Sequence, residues 1–184
     1  LDIRNTANFN VPLQIESGTT NTYSAASPFA ATLNGPVTVD SGATWHAFNG
    51  GYTLNVNNDI TNNGTISGVI NALKFFGTNL INNGSIIINI FNFEPGNHTL
   101  QGTGSWGTLG RFLSGSVTTL LSTHQMRDIN INSGGTFDIS SQKLLLSGSG
   151  NPVTQNGTFT TTGSTIEYNG TAGQTAATAS VDYH

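Results

Sequence analysis

The chain has no cysteine, one methionine, five Lys and Arg, and nine Asp and Glu among its 184 residues. The missing thiols exclude disulfides and zinc–thiolate sites. The scarcity of charge excludes the helix-rich classes, which draw heavily on Glu and Lys. Long apolar runs are also missing. The longest, Ile86-Ile87-Ile88, stops at Asn89, far short of the ~20 residues that span a bilayer as a helix. The five cations, Arg4, Lys74, Arg111, Arg127 and Lys143, are scattered through a chain of net charge −4. Nothing gathers them into a patch that would neutralise a phosphate backbone or an anionic membrane surface. Neither nucleic acid nor membrane insertion is therefore expected.

What fills the chain is Asn, Gly, Thr and Ser, together 90 of 184 residues. Apolar residues arrive between them in short regular runs, which a disordered polar tract does not require. One phrase occurs twice. Val39-Asp40-Ser41-Gly42-Ala43-Thr44-Trp45 returns 92 residues later as Ile131-Asn132-Ser133-Gly134-Gly135-Thr136-Phe137. Asn63-Gly64-Thr65-Ile66 returns as Asn156-Gly157-Thr158-Phe159. A shorter step of about 20 residues separates Asn62-Asn63-Gly64-Thr65-Ile66 from Asn82-Asn83-Gly84-Ser85-Ile86. Periods of this size mark stacked architectures.

The period and the Asn-Gly turns predict an all-β parallel β-helix, a β-solenoid with about 20–23 residues per coil. Equal steps would stack Asn on Asn and Ile on Ile, and amide ladders would satisfy the Asn side chains. The competing architecture is an antiparallel β-sandwich in which the same turns close hairpins. The expected organisation is one solenoid domain over 1–184, cut from a longer chain. Residues 1–35 form an irregular end coil, 36–170 regular coils, and 171–184 a partial coil or the start of the next repeat. Some nine coils at ~4.8 Å would give a rod of roughly 40 Å. Glu94-Pro95-Gly96-Asn97 reads as a turn, and Gly102–Gly110 as a glycine-rich insertion around Trp106. Residues 69–127 depart from the long-range repeat.

Candidate chemistry is sparse. The acids form no local pair with catalytic spacing, although neighbouring coils could bring Asp40 to Asp59, or a turn Asp128 to Asp138. His46, His98, His124 and His184 sit at no metal-ligand spacing. Calcium-binding nonapeptide turns are absent. No enzyme activity, cofactor or metal is expected. Trp45 matches Phe137 across the repeat and reads as core. His46 and Asp138, at matched positions, read as outward. Phe75-Phe76 and Phe91-Asn92-Phe93 read as core stacks. Trp106, between Gly-Ser and Gly-Thr, is the one candidate binding residue, an exposed aromatic offered to a glycan. The Asn-x-Thr/Ser triplets lie mostly in Asn-Gly turns and read as turn chemistry.

Several phrases carry a family resemblance. They are Ile129-Asn130-Ile131-Asn132-Ser133-Gly134-Gly135-Thr136-Phe137-Asp138-Ile139, Leu144-Leu145-Leu146-Ser147-Gly148, Asn156-Gly157-Thr158-Phe159 and Gly163-Ser164-Thr165-Ile166-Glu167-Tyr168-Asn169-Gly170. In this order they resemble the parallel β-helix repeat region of large secreted bacterial surface proteins of the adhesin-like kind, as does Gly35–Gly68. About half the chain is covered. The resemblance implies a right-handed parallel β-helix, an extracellular or cell-surface location, and no catalytic residues. The expected function is a structural and adhesive module: a stiff rod whose partners are neighbouring solenoid repeats or copies of itself, end to end, and surface glycans. The alternative is a carbohydrate-binding or carbohydrate-processing β-helix domain.

Overall fold

In the computed structural model the described residues are 8–18, 20–22, 31–49, 53–69 and 72–176. Every strand pairing among them is parallel, and the strands follow one another around a three-sided coil. The chain is thus a β-solenoid, and the antiparallel sandwich is set aside. Face I carries eight strands: Leu13–Ile15, Val37–Val39, Ile60–Asn62, Asn79–Asn82, Gly96–Gln101, Ser116–Leu120, Thr136–Asp138 and Thr158–Thr160. Face II begins with Thr20–Thr22, Thr44–Asn49, Thr65–Val69 and Ser85–Ile87, and ends with Lys143–Leu146 and Thr165–Tyr168. Face III runs through Asn8–Phe9, Ala31–Leu33, Thr53–Val56, Ala72–Phe75, Ile90–Phe93 and Val153–Gln155. Two long strands, Ser105–Phe112 and His124–Ile131, turn the corner between faces II and III without a break and belong to both. Eight ranks make about seven steps, so the stack is ~34 Å tall rather than the 40 Å of nine coils.

The alternating sequence explains the packing. In a strand successive side chains point to opposite faces. One inward column on face III reads Leu33, Val56, Phe75, Phe93, Phe112, Ile131. On face I, Ile60, Leu80, Leu100 and Leu120 stack at intervals of twenty residues. Aromatic rings continue the order across the core: Phe112 lies 4.1 Å from Phe137 at 12°, and Phe137 lies 5.7 Å from Phe159 at 5°. Each fully buried Phe or Leu stabilises the fold by roughly 1.5–3 kcal/mol.

Asparagine holds the corners. Asn62 and Asn82, both fully buried, form an interior amide pair, while Asn10, Asn34 and Asn57 form an exterior ladder of three at the corner from face III to face I. This is the Asn stacking that the 20-residue step predicts.

The repeated phrase has a different meaning from the expected one. Val39–Trp45 joins face I to face II, whereas Ile131–Phe137 joins face III to face I. The two copies occupy different corners and are not stacked equivalents. They share a local bend instead. Gly42 and Gly134 both have φ of +77°, and Ala43 N donates to Asp40 O as Gly135 N donates to Asn132 O. The second echo lies one coil further along each corner, where Thr65 N donates to Ala43 O and Thr158 N to Gly135 O. Trp45 and Phe137 are both buried, but on different faces.

Other expectations change for equally local reasons. The described part of residues 8–33 already lies in the ladders, as Asn8 pairs with Thr32 and Leu13 with Val37. The rest of the expected end coil, and the tail from 177, lie outside the described residues. Gly102–Gly110 is no insertion but part of a full rank. Its glycines are there because a Cβ on Gly102 would meet Asn82 O at 2.2 Å, and one on Gly104 would meet Gly84 O at 2.3 Å. The ladders run through 72–131 with one register shift, between Trp106 and Leu109, so the middle departs from the 92-residue echo without departing from the coil. Phe75 is fully buried, but Phe76 follows it with the opposite orientation and is 42% exposed.

Candidate functional site

Trp106 is not a surface aromatic. It is 1% exposed, pairs in register between Ile86 and Met126, and packs 4.9 Å from Phe91. Gly104, two residues before it, admits the backbone of Gly84, and the ring stays enclosed. The expected exposure is therefore corrected: the indole fills the core where faces II and III meet. Its Nε1 has no hydrogen-bond partner.

The carboxylates are separated and occupied. Asp40 accepts from Gln14 Nε2 at 3.2 Å. Asp59 accepts the backbone N–H groups of Thr78 and Asn79 and the Asn79 amide, at 2.8–3.0 Å. Burial alone would raise the Asp59 pKa, but these three hydrogen bonds prevail and lower it. Asp128 pairs with Arg127 at 2.6 Å, and Asp138 caps Ser140 through its N–H and hydroxyl. Neither acid pair has partners in common: Asp40 and Asp59 accept from neighbouring coils, Asp128 is in an ion pair, and Asp138 caps a turn.

Two histidines are core parts. His98 places Nδ1 2.6 Å from Gly77 O and Nε2 2.7 Å from Glu94 O, linking successive coils. His124 is 1% exposed and its Nε2 has no partner. Burial is the dominant influence on it and lowers its pKa below the ordinary 6.5, against the Ser122 and Thr123 backbone contributions. His46 is exposed on face II, its Nδ1 2.9 Å from Ser67 Oγ. Among the described residues no three of His, Asp and Glu gather as a metal site.

The surface feature that single residues did not reveal is the outward column of face III. Register fixes its order along the solenoid axis as Asn8, Thr32, Asn55, Lys74, Asn92, Arg111, Asn130, Thr154. Every rung is polar and none is acidic. Lys74 and Arg111, two of the chain's five cations, are far apart in sequence yet sit two rungs apart here, roughly 9–10 Å. Among the described residues neither forms an ion pair. Asn92, between them, is 6% exposed. Its Oδ1, Arg111 Nε and Asn130 Oδ1 are buried without hydrogen-bond partners. Beside this column runs a second outward one containing Ala72, Ile90, Leu109 and Asp128. Only the ladder register could have disclosed this grouping, since its members lie 18 to 24 residues apart in the sequence.

No family model, no curated protein and no solved structure matches the chain. The functional reading therefore comes from the coil and its surface alone.

Proposed function

We propose that the chain is a structural and adhesive module of an exported bacterial cell-surface or extracellular filament protein. The solenoid is compatible with a rod-like structural module, and the supporting observation is the state of its last rank. Val153–Gln155, Thr158–Thr160 and Thr165–Tyr168 each have one ladder partner, so each leaves a strand edge unpaired among the described strands. Such an edge is a template for another parallel strand, whether from the next stretch of solenoid or from another copy. Function on this reading is geometric. Backbone ladders and internal Phe, Leu and Ile columns make a stiff spacer whose outward faces are presented at a fixed 4.8 Å rung spacing. Sedimentation velocity across a concentration series tests it. Species that lengthen end to end with concentration are expected, and a strict monomer at every concentration contradicts the assembly.

The second reading, a carbohydrate-binding surface, cannot rest on Trp106, which is enclosed. It gains a different basis in the polar column of face III.

A further inference from the structure

We propose that the outward column of face III, from Asn55 to Asn130, binds a polysaccharide that carries carboxylates on alternate sugars. The argument begins with unmet valence. Arg111 Nε and the Asn92 and Asn130 Oδ1 atoms are buried without partners on three successive rungs. Buried polar groups without partners cost roughly 1–3 kcal/mol each, so a side-chain shift that opens these rungs to a ligand's hydroxyls and carboxylates recovers part of that cost. Charge selects the ligand's sign, because Lys74 and Arg111 stand unpaired in a column with no acid.

Two acids flank the column. Asp128 is paired with Arg127, and Glu94, in rank with Phe76 and Leu113, is buried with its Oε1 unpartnered, so the two cations outnumber the one unpaired acid beside them. Spacing selects the polymer. Cations on every second rung stand roughly 9–10 Å apart, about two pyranose rings along an extended chain, with an amide rung between for the neutral sugar. The flanking Ile90 and Leu109, half-buried on neighbouring rungs, offer apolar surface to the sugars' C–H faces. A nucleic acid strand fits less well. Along the axis of a duplex it brings a phosphate about every 3.4 Å, against two cations on a protein of net charge −4.

The site stands whether or not copies join end to end. Calorimetric titration of the full chain with hyaluronan oligosaccharides tests it, with neutral dextran oligosaccharides and a single-stranded oligodeoxynucleotide alongside. Saturable binding of hyaluronan that weakens with salt is expected. Lys74→Gln and Arg111→Gln should each weaken it about tenfold, with far-UV circular dichroism unchanged. Lys74→Arg, which keeps the charge, should retain it. Lys143→Gln, at a residue paired with Glu167 on face II, should leave it intact. Absence of hyaluronan binding, equal binding of dextran, tighter binding of the oligonucleotide, or indifference to both glutamine variants would each overturn the proposal.

Discussion

Asn62 Nδ2 donates to Asn82 Oδ1 at 2.8 Å, between side chains that water does not reach. The same Asn62 amide reaches Ser85 O at 3.1 Å, and Asn62 Oδ1 accepts Gly64 N–H at 3.3 Å. One buried amide pair thus joins two coils and shapes the turn after each. Replacing Asn82 with Leu removes the acceptor and leaves buried polar groups short of partners. It should destabilise the chain by about 1–3 kcal/mol in urea unfolding. The Asn62→Leu, Asn82→Leu double variant should lose less than the sum of the singles, because the two residues share one interaction. Additive losses would show that they act separately.

Glycine at the Asn-Gly corner is a steric requirement. A Cβ on Gly84 would lie 1.9 Å from Gly64 O, and no side-chain movement relieves contact with backbone. Gly84→Ala should therefore be among the worst substitutions here, costing more than about 4 kcal/mol or preventing folding. Gly173, where a Cβ meets nothing within 4 Å, should accept Ala within about 0.5 kcal/mol. Comparable effects at the two positions would contradict the corner geometry.

His124 couples stability to pH. Its folded-state pKa lies below the ordinary 6.5 because burial penalises the charged ring. Between the two values the unfolded chain binds a proton that the folded chain does not. Its contribution to stability is thus full above about pH 6.5 and declines as pH falls below it. Urea midpoints should drop from pH 7.5 to pH 5.5 in the wild type. They should drop less in His124→Leu, which would extend the Leu144 column. An equal drop in the variant would assign the effect elsewhere.

Trp106 supplies a further test of burial. Trp106→Ala should cost about 3–5 kcal/mol, as truncation of a buried aromatic does. It should leave glycan binding by the folded fraction unchanged. A mild loss of stability would mean that the ring is not enclosed by Phe91 and Phe93.

Much of the coil is legible in the sequence because local chemistry and stacking share one period. Asn-Gly marks a corner, alternation marks a side, and a step of twenty residues brings Asn62 onto Asn82. The longer echo misleads for a physical reason. Val39–Trp45 and Ile131–Phe137 encode the same bend, a glycine near φ +77° and a bond across the turn, and a triangular coil can use that bend at any corner. Sequence likeness there reports local conformation and not rank. Trp106 misleads because glycine beside an aromatic signals a loop, whereas here Gly104 admits the backbone of Gly84. The face III column is illegible without the register, since rung lengths vary from 18 residues, Leu73 to Phe91, to 24, Asn8 to Thr32. A fixed period therefore slips off the column.

The central claim is that residues far apart in sequence lie on successive rungs of one parallel stack. The absence of native cysteine makes paired spin labels the direct measurement. Thr32→Cys with Thr154→Cys spans six rungs of face III, about 29 Å, and Asn55→Cys with Thr154→Cys spans five, about 24 Å. Electron–electron double resonance should show the first distance exceeding the second by about one rung, after the same label contribution. Equal distances, or the reverse order, would contradict the stack.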